Sequence, residues 1–130
     1  MKILVAYDGS KIAKEALQLA IQHAGAFKGT ILLVHSMVGG PEIPRKEFAE
    51  AEKELQQQEI ILKGDGLSCE TVLSVRGLEA GEDMVRIADE KKADEIIIGI
   101  QRKSKVGKLL FGSTAQYIIM NAPCPVVTVR

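Results

Sequence analysis

Ile3-Leu4-Val5-Ala6-Tyr7-Asp8-Gly9-Ser10-Lys11-Ile12-Ala13-Lys14-Glu15-Ala16-Leu17 holds a strand, a turn and the start of a helix in fifteen consecutive positions. Ile3 to Tyr7 is apolar without alternation, the pattern of a strand covered on both faces, as in a parallel sheet. Asp8-Gly9-Ser10 then supplies turn residues and a good N-cap. From Ile12 the apolar residues Ala13, Ala16, Leu17, Ala20, Ile21 and Ala24 recur at helical spacing. Gly25 and Gly29 are expected to bracket the exit of this helix.

Strands and helices go on alternating down the chain, without an internal sequence repeat. A second apolar run covers 30–35, followed by a Gly- and Pro-containing loop at 37–44 and a long charged helix over about 45–63. Phe48, Ala51, Leu55 and Leu62 mark its narrow buried stripe, and Gly64-Asp65-Gly66 ends it. A third strand is expected over 70–75 and a helix with Ala80, Met84, Val85, Ile87 and Ala88 on its apolar face. A fourth strand follows over 95–99, a short helix over 113–120 and a fifth strand over 126–129. Asn121-Ala122-Pro123-Cys124-Pro125 stops the last helix, because proline neither continues a helix nor favours one before it. Strict β-α alternation means parallel strands joined by right-handed crossovers, an α/β sheet with helices on both faces.

Composition bounds the rest. With 130 residues the chain is expected to be one domain, able to bury roughly two-thirds of its unfolded surface. It is 46% hydrophobic and 26% charged, an ordinary globular mixture. Lys plus Arg equals Asp plus Glu at 17 each, so no overall field draws nucleic acid or an anionic membrane. Cys69 and Cys124 cannot build a disulfide framework, and no Cys/His spacing suggests zinc. Cys124, between two prolines, reads as a small packing residue. No apolar run approaches a membrane span, and the first residues lack the apolar region of a signal peptide, so a cytoplasmic location is expected.

In open sheets of this kind ligands bind beyond the carboxyl ends of the strands, where strand order reverses. Those ends are Tyr7-Asp8-Gly9-Ser10, His35-Ser36, Val75-Arg76-Gly77 and Gly99-Ile100-Gln101. Several chemistries fail there. The turn Asp8-Gly9-Ser10-Lys11 is not G-x-G-x-x-G, and Gly107-Lys108 has Arg102 and Leu109 where a P-loop needs glycine and a hydroxyl. A phospho-receiver site wants an acidic pair after the first strand and an aspartate after the third; Asp8 stands alone and the third strand ends in Ser74-Val75-Arg76. His23 is expected in solvent, and His35 reads as packing or hydrogen bonding rather than catalysis. Asp8 has two readings, organiser of its own turn or ligand contact.

The informative stretch is Gly99-Ile100-Gln101-Arg102-Lys103-Ser104-Lys105-Val106-Gly107-Lys108-Leu109-Leu110-Phe111-Gly112-Ser113-Thr114. Gly99 ends a buried strand where a missing side chain admits a ligand to the backbone. Gly112-Ser113-Thr114 opens a helix whose unpaired first N–H groups form an anion site. Arg102, Lys103, Lys105 and Lys108 add positive charge with no acid between them, a combination suited to a polyphosphate.

Asp8-Gly9-Ser10, Ala93-Asp94-Glu95-Ile96-Ile97-Ile98-Gly99 leading to Gly112-Ser113, and Asn121-Ala122-Pro123-Cys124-Pro125-Val126-Val127 together resemble the universal stress protein family. The resemblance covers the whole chain and implies a Rossmann-like sheet, of the kind found in adenine nucleotide alpha hydrolases, with strand order 3-2-1-4-5. Family members that bind ATP carry G-x2-G-x9-G-[ST]; here the first glycine is Gly99, the third Gly112 and the hydroxyl Ser113. The second falls on Arg102. Arginine either obstructs the approach of the loop to phosphate or substitutes a guanidinium fork for backbone donors. The resemblance further implies Asp8 on the ribose or adenine side, with Gly9 and Ser10 in its turn, and Val34 and His35 along the base. Ile100 and Gln101 would follow the nucleotide, with Ser113 and Thr114 at the phosphates. Loop 37–44 would cover the pocket or serve as a surface connection.

The family commonly pairs through its last strand, and here Val126 to Val129 follows a proline suited to the start of an edge strand. A two-fold axis there makes a homodimer. Three functions follow as expectations. The first is a regulatory stress-response protein that binds ATP or AMP, with Mg²⁺ accompanying ATP, and acts as a dimer on a protein partner. The second is a dimerisation module that binds no nucleotide because Arg102 fills the phosphate loop. The third, an enzyme, has no base placed to orient water, so ATP hydrolysis would be slow and incidental.

Overall fold

Among the described residues of the computed structural model, 1–38, 42–101 and 112–130, strands and helices alternate without exception. They are β1 (Lys2–Ala6), α1 (Lys11–Phe27), β2 (Thr30–Ser36), α2 (Arg45–Gly64), β3 (Ser68–Ser74), α3 (Ala80–Glu90), β4 (Glu95–Gly99), α4 (Ser113–Asn121) and β5 (Val126–Val129). The strands form one 5-stranded sheet in the order β3-β2-β1-β4-β5. Every neighbouring pair is parallel, with Leu4 opposite both Leu32 and Ile96 at the centre.

Two faces of the sheet carry two cores. Ile3, Val5, Ile31, Leu33 and Ile97 point to the face covered by α1 and α2, through Ala13, Ala16, Leu17, Ala20, Leu55 and Leu62. Leu4, Leu32, Val34, Ile96 and Ile98 point to the other face, covered by α3 and α4 through Met84, Ile87, Ala88, Ala115 and Ile118. Side chains alternate along each strand, so burial on both faces is what makes the runs apolar without a break. The line of alanines on α1 lets that helix sit close to the sheet. Each of the larger aliphatic side chains buried here contributes about 1.5–3 kcal/mol.

Four local expectations are corrected. Helix α1 runs through Gly25 to Phe27 and ends on Lys28, which takes the left-handed C-cap at φ 52°. The αL position is filled by lysine and not by either neighbouring glycine. Phe48 is 38% exposed, leaving Ala51, Leu55 and Leu62 as the buried stripe of α2. At 1.5 Å per residue α2 is about 30 Å long, whereas β3 spans about 23 Å, so one end of the helix projects past the sheet. Strand β3 begins two residues early, at Ser68, because its register pairs Ser68 with Thr30 and the two hydroxyls bond at 3.1 Å. His23 is not left to solvent: its Nδ1 lies 2.6 Å from Glu95 Oε1.

Candidate functional site

From the central strand the chain to β2 and β3 builds outward on one side, and β4 and β5 build outward on the other. The reversal falls between β1 and β4, and a cleft of about 490 Å³ opens there at the carboxyl ends of the strands.

Its first wall is the turn after β1. Gly9 adopts φ 81°, which an L side chain takes only at a cost of about 1–2 kcal/mol. Asp8 Oδ1 accepts from the Ser10 amide at 2.9 Å, and Ser10 Oγ accepts from the Ala13 amide at 3.3 Å as the N-cap of α1. Burial raises the Asp8 carboxyl, but the hydrogen bonds from the Ser10 hydroxyl and amide outweigh it and hold it below the usual carboxylate range. Asp8 therefore organises its own turn, as one of its two readings expects, and it also lines the cleft as an exposed anion.

The second wall is the end of β2. His35 and Ser36 line the cleft, His35 also reaching a smaller cavity of about 260 Å³ beside Glu47, Glu50 and Glu54. Burial pushes His35 below its ordinary value and the Asp8 charge pulls the other way, leaving the ring neutral at pH 7. Tyr7 is buried between the two cavities, with its hydroxyl donating to Glu54 at 2.7 Å. Burial and the Glu54 carboxylate push this phenol upward, so it offers no proton to chemistry. The Val34 side chain is 0% exposed and belongs to the core under α3. It does not line the cleft: it shares the α3 face with Ser36 but lies two residues back from the strand end, inside the core.

Gly99, Ile100 and Gln101 form the floor at β4. A Cβ on Gly99 would stand 2.8 Å from the Ile12 carbonyl oxygen and 2.6 Å from Ile12 Cγ1. The glycine is thus required by the close approach of α1 to the sheet, a reason the ligand-access argument did not supply. Opposite, α4 begins at the N-cap Gly112, and among the described residues no side chain caps it. The first amides of a helix lack intrahelical partners and carry the positive end of its dipole, and the lining residues of α4 bring that terminus to the cleft. Gly112 and Thr114 line the cleft; Ser113 is exposed outside the lining and does not cap the helix. Gly9 is likewise not part of the lining. Arg102, with Lys103, Lys105 and Lys108, lies outside the described residues, as do positions 39–41 of the loop expected to cover the pocket.

Ala80 and Met84 of α3 form an apolar side of the cleft, and beneath them lies a polar group that sequence reasoning did not find. Asp83, 1% exposed, accepts from Ser36 Oγ at 2.5 Å and from Arg76 Nε at 2.9 Å. Arg76 also pairs with Glu90 at 2.7 Å. The signal was present: Asp83 falls on the same helical stripe as Ala80, Met84, Ile87 and Ala88, and a charge on a buried stripe demands partners.

Chemically, the cleft offers a helix N-terminus, a carboxylate, a neutral imidazole and apolar walls. Among the described residues no group of three or more His, Cys, Asp or Glu side chains comes together to hold a metal ion. None of the described helices is long and apolar enough to cross a membrane.

The universal stress protein family model matches residues 1–130. A universal stress protein of Thermus aquaticus is 34% identical over 134 residues, spanning 98% of this chain and 97% of the relative. The solved universal stress protein from Archaeoglobus fulgidus superposes with a TM-score of 0.87 at 37% identity, over 100% of this chain and 98% of that one. A universal stress protein from the same organism, solved in complex with dAMP, gives 0.84 at 34% identity with the same coverage.

Proposed function

Because the chain belongs to the universal stress protein family, we propose that it binds an adenine nucleotide, ATP or AMP, in the switch-point cleft and acts as a dimeric regulator in a stress response. The observation that carries this reading is the cleft itself. One concavity joins the N-terminus of α4, suited to phosphate, with Asp8 and the end of β2, suited to ribose and base. The dAMP complex of the Archaeoglobus relative supports it at 34% identity across the whole chain. Asp8 accepts from ribose hydroxyls, the α4 amides donate to phosphate, and Mg²⁺ accompanies the triphosphate when ATP is the ligand.

Dimerisation is proposed through β5, the edge strand next to β4. Ile96 and Ile100 amides bond the Pro125 and Val129 carbonyls, so the backbones of Val126 and Thr128 face outward to a second copy. Tyr117, Ile119 and Met120 are exposed on the adjoining α4. A protein partner of this dimer is the proposed downstream target.

Arg102 in place of the family's second glycine favours one alternative, a module that binds no nucleotide. The thermal midpoint of nucleotide-stripped protein, with and without AMP or Mg-ATP, separates the two. Ligand at 100 times its dissociation constant stabilises by about 2.7 kcal/mol, a shift of several degrees. A saturable rise that Arg102→Ala diminishes supports nucleotide binding with arginine on phosphate. No rise in the parent, with one created by Arg102→Gly, establishes the module.

A further inference from the structure

We propose that Ser36 is a hydrogen-bond acceptor locked in place by Asp83, and that it selects a ligand base presenting an amino group, adenine over hypoxanthine. The inference rests on the nucleotide reading above and deepens it by naming the side chain that discriminates the base.

A serine hydroxyl normally rotates to suit either a donor or an acceptor. Ser36 cannot. Its proton is given to Asp83 Oδ2 at 2.5 Å, the length of a charge-assisted O–H···O⁻ bond. The other oxygen, Oδ1, takes Arg76 Nε at 2.9 Å and Nη2 at 2.6 Å, and Arg76 Nη1 is itself fixed on Glu90 at 2.7 Å. Burial pushes the Asp83 carboxyl up, but hydrogen bonds from Ser36, Ser74 and Arg76 outweigh it and keep it ionised at neutral pH. An ionised carboxylate only accepts, so the Ser36 proton is committed and Oγ presents lone pairs alone to the cleft.

Ser36 also stands where a base would lie. It ends β2, two strand positions from β4, a separation of about 10 Å. The anion-binding end of the cleft is at α4, beyond β4. A nucleotide with its phosphate there extends its base toward β2, against the apolar Ala80 and Met84. AMP and IMP differ along one edge: the 6-amino donor and N1 acceptor of the first become a 6-oxo acceptor and an N1–H donor in the second. With the phosphate held at α4 and position 6 opposite the Ser36 lone pairs, the amino group completes a hydrogen bond, whereas the 6-oxo group of IMP opposes acceptor to acceptor and its N1–H points to one side of Oγ.

Isothermal titration of the full chain, freed of nucleotide, with AMP and with IMP tests this. The parent should bind AMP about tenfold more tightly than IMP, the effect of one mismatched buried hydrogen bond. Ser36→Ala should bring the two within about twofold, chiefly by weakening AMP. Asp83→Asn should go further. Its carboxamide can donate to Ser36 Oγ while its oxygen keeps Arg76, which turns the serine proton into the cleft and shifts preference toward IMP. A merely structural role for Asp83 would lower both affinities together and leave their ratio unchanged. Should Asp83→Asn fail to fold, Ser36→Ala decides alone, since it removes no core packing and leaves the Asp83 carboxylate held by Arg76 and Ser74. Equal binding of AMP and IMP by the parent, or an unchanged ratio in Ser36→Ala, overturns the inference and leaves nucleotide binding standing. Binding of neither nucleotide by the parent overturns the nucleotide reading and this inference with it.

Discussion

Replacing Gly99 by alanine should destabilise the protein in the absence of any ligand, because α1 passes too close to β4 to admit a methyl group. The added Cβ would lie 2.6 Å from Ile12 Cγ1, 2.8 Å from the Ile12 carbonyl oxygen and 3.0 Å from its carbonyl carbon. The Cγ1 contact is relieved by a rotamer change. The carbonyl contacts are not, since that group belongs to the first turn of α1 and moves only with the helix. Restoring ordinary contact requires α1 to withdraw by about 0.6 Å, which loosens Ala13, Ala16 and Ala20 against the sheet. Overpacking of this kind costs about 1–3 kcal/mol, offset by about 0.4–1 kcal/mol from the smaller unfolded-state entropy of alanine. Because the clash is with a backbone oxygen the cost lies toward the upper end, about 2–3 kcal/mol, so the net is roughly 1–2.6 kcal/mol, or a thermal midpoint lowered by roughly 3–13 °C for a domain of this size. Differential scanning calorimetry of the two proteins measures it directly. Adding Ile12→Ala should recover little, because it removes Cγ1 and leaves the carbonyl in place. A midpoint within about 1 °C of the parent, or full recovery by Ile12→Ala, would refute the backbone clash.

Ser10→Ala removes the N-cap of α1 and a donor to Asp8, and urea denaturation should show a loss of about 1 kcal/mol. His35 is depressed by burial, so the unfolded chain binds more protons than the folded one below the ordinary histidine value of about 6.5. Stability should therefore be full above that pH and fall as pH drops through the lowered folded value; His35→Gln should flatten the slope of midpoint against pH below about 6.5. A parent midpoint that climbs on acidification over that range would contradict the sign. Thr128→Pro deletes an outward-facing amide of β5 without touching the Pro125 and Val129 bonds to β4. Light scattering after gel filtration should show monomer in place of dimer, with the far-ultraviolet circular dichroism unchanged.

The backbone of this fold was legible because burial on both sheet faces writes continuous apolar runs, and covering helices write the 3.6-residue stripe. β4 and β5 lie where the sequence places them, bounded by Gly99 and by Pro125. β3 was read two residues late because its burial is broken: Ser68 and Glu70 are exposed beside the buried Cys69. At the cleft, Asp8, His35, Gly99, Gln101, Gly112 and Thr114 could be singled out from their positions after strands or before a helix. That Val34 and Ser113 lie outside the lining could not be read the same way, since how far a residue sits from the opening depends on tertiary placement. The Ser36–Asp83 bond joins residues 47 positions apart, and the His23–Glu95 pair 72 apart. Neither spacing carries a local signal. Asp83 alone announced itself, as a charge on an apolar stripe, without naming its partners.

Amide chemical shifts of isotopically labelled, nucleotide-free protein titrated with AMP test the central claim most directly. The account predicts saturable changes concentrated at Asp8, Ser36, Gly99, Gln101 and the first turn of α4, Ser113 to Ala115, with β3 and the outer face of α2 unmoved. No change at millimolar AMP, or changes centred away from the strand ends, would contradict it.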